Sequence, residues 1–329
     1  MRGCGGSAPQ NQCRDYEFHP HPPTWITNPL ATEKPWPKGG NRPHLPEAYN
    51  FKQSVLSVIQ LGQLNYAEGV RLQQKLVGLR KAGDIGDVLL LLEHSPVITL
   101  GRNAKRAHVL TSPEALAARG VEVYECDRGG DVTFHGPGQI VGYPIFDLRG
   151  FSRQPSAVRH QEDADPTSES LPSWRKTLGA VDYVRRLEEV LIRTCADFGI
   201  PAKRVAGLTG AWTEAAPEAK IAAIGVHISR AVTSHGFALN VNNDLSFFDL
   251  IVPCGIAARP VTSMQKELCR EIDPALVAQS LSRNFGTVFG VQILWLASLD
   301  ALLSEAVGVP MKEPEEIRRL RKEDELFLA

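Results

Sequence analysis

The segment 87–102 contains two short apolar runs, which limit the possible folds of this chain more than any other part of it. The first is centred on 89–92 and the second on 97–100, and the residues His94, Ser95 and Pro96 separate them. Short apolar runs that are bounded by turn residues are typical of strands buried on both faces. The sequence therefore predicts two buried strands joined by a turn.

Strands and helices are predicted along the rest of the chain, and they intermix without a regular rhythm. Helix starts are indicated at Asn65, with Gly83 as the stop, at Ser112 before Pro113, and at Asp273 before Pro274. Further strands are predicted at 55–62, 121–126, 139–148, 220–229 and 234–241, and a further helix at 178–198. Because no β-α-β alternation is visible, an α+β fold is favoured over a doubly wound sheet.

Charge and hydropathy exclude two broad classes of protein. The chain has 36 Lys and Arg residues against 37 Asp and Glu residues, so its net charge is −1. A nucleic-acid-binding protein would show a basic excess, and a membrane-spanning helix would need a longer apolar run than any found here. The histidines and cysteines are not grouped at metal-ligand spacing, so we expect no nucleic-acid partner, no membrane association, no metal and no cofactor.

The most unusual segment is 128–139, RGGDVTFHGPGQ, with four glycines in the eleven positions from Arg128 to Gly138. Glycine lets the backbone approach a ligand closely and permits positive φ angles. Arg128 can hold a carboxylate or a phosphate, or it can order the loop. A ligand-binding loop and a tight hairpin with a satisfied His135 are both compatible with this pattern, which matches neither common glycine-rich nucleotide motif.

Two later strands, 220–229 and 234–241, are rich in small residues and are separated by a short turn. The small residues are Ala222, Ala223, Gly225, Gly236 and Ala238. A strand that carries small side chains leaves room for a ligand beside it. The pair is therefore predicted to form a hairpin with a slot along it, and Lys220 begins its first strand.

The six cysteines are too sparse for a secreted disulfide framework, and they contain no CxxC pair. Cys195 falls on the apolar face of a predicted helix, where a thiol behaves as a small hydrophobic group. Cys254 lies between Pro253 and Gly255, which places it on a constrained turn. Cys254 is therefore the best candidate for a nucleophile.

Together, RGGDVTFHGPGQ, the KIAAIGVHI…SHGFALNV pair and IVPCGI resemble the motifs of the lipoyl(octanoyl) transferases of lipoate biosynthesis. HSPVITLGR (94–102) resembles an early strand-turn-strand of the same family, and the resemblance spans roughly residues 55–300 apart from 151–176. It implies mixed β-sheets flanked by helices, as in the catalytic domain of biotin and lipoate ligases. It also implies an acyltransferase that moves octanoyl from acyl carrier protein to a lysine of a lipoyl domain, in 2-oxoacid dehydrogenase complexes or in glycine cleavage H protein.

The resemblance also implies roles for individual residues. Cys254 would become an acyl-thioester, and Lys220 would partner it by favouring the thiolate and moving protons. The residues implied to bind the acyl substrate are Arg128, Gly129, Gly130, Asp131, Val132, Thr133, Phe134, His135, Ala223, Ile224, Gly225, Gly236, Phe237 and Ala238. Many members carry Ser at position 223, so this chain can keep only a backbone contact there. Either His135 or His235 is available to orient the attacking amine, and the sequence does not choose between them.

Three alternatives stay open at this point. An ATP-dependent lipoate–protein ligase on the same fold would need no nucleophilic cysteine. A cysteine hydrolase would release free octanoate, and an inactive member would only bind acyl carrier protein or a lipoyl domain. Cys254 on its turn favours the thioester route over the ligase, and the presence of both Cys254 and Lys220 argues against the inactive protein.

The chain is expected to contain one catalytic domain, 45–310, flanked by segments of different composition. Residues 1–44 are Pro-rich and predicted to be a disordered arm or a targeting segment, 151–176 a polar insertion, and 311–329 a charged tail. The arm and the insertion favour a eukaryotic origin, for which the resemblance implies mitochondria, with the cytoplasm as the alternative. Lys105 and Arg106 are candidates for docking an acidic carrier protein.

Overall fold

The computed structural model describes residues 54–151, 177–253 and 259–305, with the side chains of 303–305 left aside. The predicted arm 1–44, the predicted tail 311–329 and all of the predicted insertion except Phe151 lie outside these ranges, and their boundaries stay predictions. Cys254 also lies outside them. In the described part of the chain, no helix is long and apolar enough to cross a membrane.

The elements follow one another in an irregular order of strands and helices. The strands are β1 (Val55–Leu64), β2 (Asp87–His94), β3 (Val97–Leu100), β4 (Glu122–Glu125), β5 (Val132–His135), β6 (Gln139–Ile145), β7 (Ala202–Val205), β8 (Leu208–Thr213), β9 (Lys220–Ser229), β10 (Val232–Asn240) and β11 (Gln292–Leu296). The helices are α1 (Tyr66–Ala82), α2 (Pro113–Ala118), α3 (Ala180–Asp197), α4 (Met264–Leu268), α5 (Pro274–Phe289) and α6 (Leu299–Glu305).

Two mixed sheets are built from the described strands. The larger has the order β11-β1-β2-β6-β10-β9-β8-β7, and the smaller has the order β4-β3-β5. In the larger sheet β1 is parallel to both β11 and β2, whereas β6, β10, β9, β8 and β7 continue in antiparallel fashion. The predicted α+β class with mixed sheets flanked by helices is therefore confirmed.

The larger sheet is covered on both faces, as the apolar run in β2 predicts. Leu89 and Leu91 point to a core that includes α3 and α5, whereas Leu90 and Leu92 point to a second core that includes Leu76 of α1. Successive strand residues alternate between faces, so an uninterrupted apolar strand can supply two cores at once.

The predicted helix starts are confirmed by their caps. Asn65 and Glu68 form a capping box, in which the Asn65 side chain accepts a hydrogen bond from the backbone of Glu68 at 2.9 Å, and Gly83 ends the helix with φ +87°. Ser112 and Asp273 accept hydrogen bonds from the first turns of α2 and α5. These bonds satisfy backbone donors that have no partner within the helix.

Near the glycine-rich segment, the turn after β2 and the turn after β5 each connect one sheet to the other. The chain leaves the larger sheet after β2 and enters the smaller sheet at β3, and it returns between β5 and β6 through 136–138. The hairpin alternative for 128–139 is excluded, because β5 pairs with β3 and not with β6. The segment instead spans the space between the two sheets.

Candidate active site

A cavity opens where the glycine-rich segment passes over the β9–β10 hairpin. Its empty space, including the open mouth, is about 470 Å³. Eleven of the fourteen predicted binding residues line it: Arg128, Gly130, Asp131, Thr133, His135, Ala223, Ile224, Gly225, Gly236, Phe237 and Ala238. Four further residues complete the wall: Tyr66, Val141, Tyr143 and His235. The sequence gives no local signal for Tyr66, Val141 and Tyr143, because they reach the cavity from α1 and β6.

The glycine-rich loop lies directly on β9, and glycine makes this approach possible. The backbone N–H of Gly129 donates to the carbonyl of Val226 at 3.0 Å. A Cβ atom at Gly225 would lie 2.7 Å from the carbonyl oxygen of Gly129, closer than real contacts allow. Gly129 therefore fixes the loop to the sheet, although it does not itself line the cavity.

Arg128 places a buried positive charge in the cavity wall. Its guanidinium donates to the hydroxyl of Thr99 through Nε at 3.1 Å and Nη2 at 2.8 Å, and to the carbonyl of Thr99 at 2.7 Å. A further bond from Nη1 reaches the carbonyl of Gly129. These acceptors carry no charge, so the hydrogen bonds orient Arg128 without neutralising it.

Alternate residues of β5 have different surroundings. Thr133 and His135 face the cavity, whereas Val132 and Phe134 are buried in the small core beside the lesser sheet. The ring of Phe134 stacks on Phe247 with 4.7 Å between centroids. The period of two in a strand accounts for this division, so Val132 and Phe134 have a packing role in the structure.

Asp131 ties the cavity wall to a neighbouring loop. One carboxylate oxygen accepts from the backbone N–H of Val132 at 2.8 Å, and the other lies 2.6 Å from Nδ1 of His108. The carbonyl of His108 accepts from the backbone N–H of Val252, two residues before Cys254. Asp131 thus connects the predicted binding loop to the segment that leads to the predicted nucleophile.

Lys220 lies in a second, smaller cavity at the start of β9. Its side chain is buried, with Nζ 4.8 Å from the centroid of the Trp212 ring, a distance that allows a cation–π contact. Its backbone N–H donates to Pro260 and its carbonyl accepts from Thr262. Pro253 lines the same cavity. Described residues on both sides of 254–258 therefore adjoin Lys220.

The two cavities adjoin each other and share part of their lining, and we call them together the channel. Thr133, Ala223 and Ala238 line both of them. Lys220 lies at one end, which we call the reacting end, and Tyr66, Tyr143 and His235 lie at the other, which we call the far end. Four of the small residues of β9 and β10, Ala223, Gly225, Gly236 and Ala238, line the channel, as their sequence predicts.

The imidazoles beside the channel are neutral at neutral pH. Burial, with the nearby His94 and the Arg128 charge, lowers the pKa of His135 to about 3, and burial lowers the pKa of His94 to about 4. His135 Nδ1 lies 2.7 Å from Oε1 of Gln139, and His94 Nε2 lies 2.6 Å from the hydroxyl of Tyr143. Burial also raises the pKa of the Tyr143 phenol, so this cluster holds hydrogen bonds rather than charge.

His235 differs from the other histidines in its backbone and its partner. Its φ angle is +54°, which is uncommon for a residue within a strand, and its N–H donates to Oε1 of Gln73 at 2.7 Å. Its Nε2 lies 2.8 Å from Asp127. Partial burial raises the pKa of Asp127, but the hydrogen bond from His235 outweighs this, and the pKa is lowered overall. Among the described residues, no group of three His, Cys, Asp or Glu side chains converges on a metal-sized site.

The chain matches the family model of the lipoyl protein ligase A/B catalytic domain over residues 65–164 and 170–286. It is 56% identical over 270 residues to an octanoyltransferase of Koribacter versatilis, covering 82% of this chain and 98% of the relative. It is also 56% identical over 258 residues to an octanoyltransferase of Acidobacterium capsulatum, covering 76% and 97%.

The fold comparison agrees with these matches. The bipartite lipoate protein ligase of Thermoplasma acidophilum superposes with a TM-score of 0.54 at 14% identity, over 77% of this chain and 91% of that chain. A lipoate-protein ligase A bound with ATP gives 0.53 at 12% identity, over 77% and 92%. At these identities the likeness concerns the fold alone.

The chain therefore belongs to the lipoyl protein ligase A/B catalytic domain family, and the predicted resemblance is confirmed. Within this family it is an acyltransferase of the octanoyltransferase group, a protein of lipoate biosynthesis.

The prediction of a mitochondrial location finds no support, because the relatives are bacterial. They support the alternative, the cytoplasm. The Pro-rich arm and the polar insertion were compositional signals only, and composition does not distinguish a targeting segment from other polar chain.

Proposed function

We propose that this chain transfers octanoyl from the thioester of acyl carrier protein to the lysine amine of a lipoyl domain, in the cytoplasm, through an acyl-thioester on Cys254. The observation that carries the proposal is the channel, in which Lys220 lies at the reacting end. Pro253, which precedes Cys254, lines the same cavity, and 260–262 bind the backbone of Lys220. Cys254 and Lys220 are thus proposed to face one another.

The reaction balances as two acyl transfers. The Cys254 thiolate attacks the carbonyl carbon of the octanoyl thioester, the bond to the carrier sulfur breaks, and the carrier thiol leaves with a proton from Lys220. The neutral acceptor amine then attacks the carbonyl carbon of the Cys254 thioester and gives a proton to Lys220, and the carbon–sulfur bond breaks to release the Cys254 thiolate. A covalent intermediate has the general advantage that it divides one transfer between two proteins into two easier steps.

The Trp212 ring supports the proposed role of Lys220. The ring is buried, and Nζ of Lys220 and the guanidinium of Arg259 lie 4.8 and 5.5 Å from its centroid. An aromatic face attracts a cation, so the ring helps to hold the ammonium in place at the reacting end. A group held in one position is suited to exchanging protons with a substrate bound beside it.

The channel suits an acyl chain of moderate length. Each CH₂ group buried in an apolar slot contributes about 0.8 kcal/mol of binding free energy. Ala223, Gly225, Gly236 and Ala238 present little side-chain volume along the slot. The acceptor is proposed to be a lipoyl domain of a 2-oxoacid dehydrogenase complex or glycine cleavage H protein.

The test is direct detection of the intermediate under reducing conditions and without ATP. Wild type mixed with octanoyl-acyl carrier protein alone should gain the mass of one octanoyl group on Cys254, and hydroxylamine should remove it. C254S should show no hydroxylamine-labile adduct and no transfer to a lipoyl domain, whereas the matched control C195S, a thiol buried in the helix core, should behave as wild type. Undiminished transfer by C254S, or transfer that needs ATP, would overturn the proposed route.

A further inference from the structure

The strand β9 has one residue more than its neighbour β8 at the place where Lys220 begins it. Ala222 lies opposite Ala211 of β8. The next residue of β8, Trp212, lies opposite Lys220. Two steps along β9 therefore match one step along β8, and Ile221 is the extra residue. Such a β-bulge bends a strand locally and turns the side chains beyond it to the other face of the sheet.

The bulge changes the face of the sheet on which Lys220 lies. Ala222, Val226 and Ile228 pack into the core that contains α3 and α5, as alternate residues of a strand do. Ile221 packs into the same core, although it is the immediate neighbour of Ala222. Without the extra residue, Ile221 would face the smaller cavity and Lys220 would face the core. With it, Lys220 lines the cavity.

The same bulge gives Lys220 its aromatic neighbour. In a regular antiparallel ladder, Trp212 would lie opposite Ile221, and its ring would contact an aliphatic side chain. The shift brings Lys220 opposite Trp212 instead, and Nζ lies 4.8 Å from the centroid of the ring. The position of the ammonium therefore depends on one extra residue in the backbone.

The strand β9 also changes its neighbour on the other side at the bulge. It pairs with β10 as far as Ala222, whereas the backbone of Lys220 pairs in parallel with Val261. The N–H of Lys220 donates to the carbonyl of Pro260 at 2.9 Å, and its carbonyl accepts from the N–H of Thr262 at 3.0 Å. At the bulge, β9 thus leaves the hairpin and joins the segment that follows the predicted nucleophile.

Gly210 of β8 lies directly against the bulge, and this close approach requires glycine. Gly210 is buried, and its φ angle of +123° is one that residues with a side chain rarely adopt. A Cβ atom at this position would overlap the carbonyl oxygen of Ala222 and would lie 3.7 Å from Cε of Lys220. Because Gly210 has no side chain, β8 can pack against the bulge without displacing Lys220.

A buried carboxylate holds Gly210 in this place. The backbone N–H of Gly210 donates to Oε1 of Glu188 on α3 at 3.2 Å, and the Glu188 side chain is fully buried. The other carboxylate oxygen pairs with Arg185 at 2.7 Å and with Arg204 at 3.1 Å. A buried carboxylate with such partners is costly to displace. The helix α3 thus fixes the part of β8 that contacts the bulge.

We infer that Gly210 is a positioning residue for Lys220. By fitting closely against the bulge, it keeps Ile221 in the core and Lys220 on the cavity side of β9, where the ammonium exchanges protons with the substrate. Gly210 acts through Lys220 and contributes no reactive group of its own. The inference rests on the proposed function, because it assumes the acid–base role of Lys220.

The test compares G210A with G207A in steady-state transfer of octanoyl from acyl carrier protein to a lipoyl domain. Gly207 is the matched control: it also has a positive φ angle, +76°, between β7 and β8, but its Cβ atom would meet nothing within 4 Å. We expect G210A to lower kcat by roughly 10²-fold, the cost of misplacing a catalytic group by about 1 Å, without a change in KM for the octanoyl donor. G207A should keep the wild-type kcat.

The K220A background separates positioning from general damage to the fold. K220A has no ammonium to misplace, so adding G210A should lower its kcat no further, because two residues that act through one group are not additive. Single-turnover transfer measures the activity that remains. Damage to the fold would instead lower kcat by the same factor in both backgrounds.

E188D makes the same test through a smaller displacement and replaces G210A if that variant does not fold. It keeps the negative charge but withdraws the acceptor from Gly210 by one methylene, so kcat should fall a few-fold, and only when Lys220 is present. E189D is its control, because Glu189 also pairs with two arginines, whereas the N–H of Gly210 donates to Glu188.

The outcomes distinguish the two proposals. Equal kcat in G210A and G207A, a rise in KM at constant kcat, or an equal loss in the K220A background would overturn the positioning role and leave the proposed function intact. If G210A does not fold, equal kcat in E188D and E189D would have the same meaning. Absence of octanoyl transfer by folded wild type would overturn the proposed function itself, and wild-type kcat in K220A would overturn the role of Lys220 in it.

Discussion

The two walls of the channel differ in the polarity of their side chains. The wall from β9 and β10 is mostly apolar, with small residues beside Ile224 and Phe237 and one imidazole, whereas the wall from 128–135 presents a guanidinium, a carboxylate, a hydroxyl and an imidazole. The first wall needs only strand pairing to keep its shape. The second must be held by buried hydrogen bonds, of which the three from Arg128 to Thr99 are the clearest. Most of the polar groups thus come from the glycine-rich segment and β5, and most of the apolar surface comes from the larger sheet.

The largest expected effect is the removal of the charged group at the end of the small-residue wall. K220A should lower kcat by roughly 10²–10⁴-fold, the usual size of a general acid–base contribution, with little change in KM for the octanoyl donor. Steady-state kinetics would check this against K203A, a half-exposed lysine on β7 paired with Glu218. A rise in KM at constant kcat would mean that Lys220 binds substrate and does not transfer protons.

Acidification should destabilise the folded protein through two buried histidines beside the channel, His135 and His94. The pKa values of about 3 for His135 and about 4 for His94 lie below the unfolded value near 6.5, so between these limits the unfolded chain binds more protons. The free energy of unfolding should be independent of these two groups above pH 7 and should fall by roughly 2 kcal/mol for each between pH 7 and pH 5.

Urea unfolding at pH 7, 6 and 5 measures this slope. H135Q keeps a hydrogen-bonding side chain that does not titrate, so its stability should fall by about 2 kcal/mol less than that of wild type over the same interval. Parallel curves for wild type and H135Q would contradict the buried neutral state of His135.

A smaller effect is expected where the two walls touch. G225A places a Cβ atom against the carbonyl oxygen of Gly129, so the walls must separate, and we expect kcat/KM to fall by about tenfold, equivalent to roughly 1.4 kcal/mol. G78A on α1 is the control, because its Cβ atom would meet nothing within 4 Å. Equal kcat/KM in the two variants would show that the contact between the walls is not needed.

The smallest effect should come from the outer side of the polar wall. Lys105 and Arg106 are exposed there, and Arg106 already pairs with Glu125 at 2.6 Å. K105E/R106E should raise KM for the carrier protein a few-fold at low salt and leave kcat unchanged, because screened surface charges act mainly on encounter. R71E/R270E makes the same charge change at other exposed positions, and an equal rise in KM there would remove Lys105 and Arg106 from a docking role.

The sequence predicts the local elements well and the distant contacts of the site poorly. Asn65, Ser112 and Asp273 determine where helices begin because their side chains bind the backbone within three residues. The small residues of β9 and β10 likewise indicate a slot, since the absence of side-chain volume is visible in the letters themselves. Both inferences depend on chemistry within one element.

The far end of the channel has no such signal. Tyr66 and Gln73 lie more than fifty residues before the glycine-rich loop, and only the packing of α1 across the sheet brings Tyr66 to the cavity and Gln73 to His235. The separation of Val132 and Phe134 from Thr133 and His135, by contrast, follows from strand periodicity and was open to prediction once β5 was recognised as a strand. The chain passes from the smaller sheet to the larger one at 136–138. This passage depends on which strands pair with β5 and β6, and no local sequence pattern indicates those partners.

The place of β11 in the larger sheet has a consequence for how the protein is made. β1 begins the described chain, but its outer edge pairs with β11, which lies more than two hundred residues later. During synthesis that edge stays open until residue 296 has left the ribosome, and an open strand edge is a site for unwanted pairing with other chains. Truncation before Gln292 should therefore reduce the soluble yield more than the small contribution of β11 to the core would suggest, because β1 would then have no partner on its outer edge.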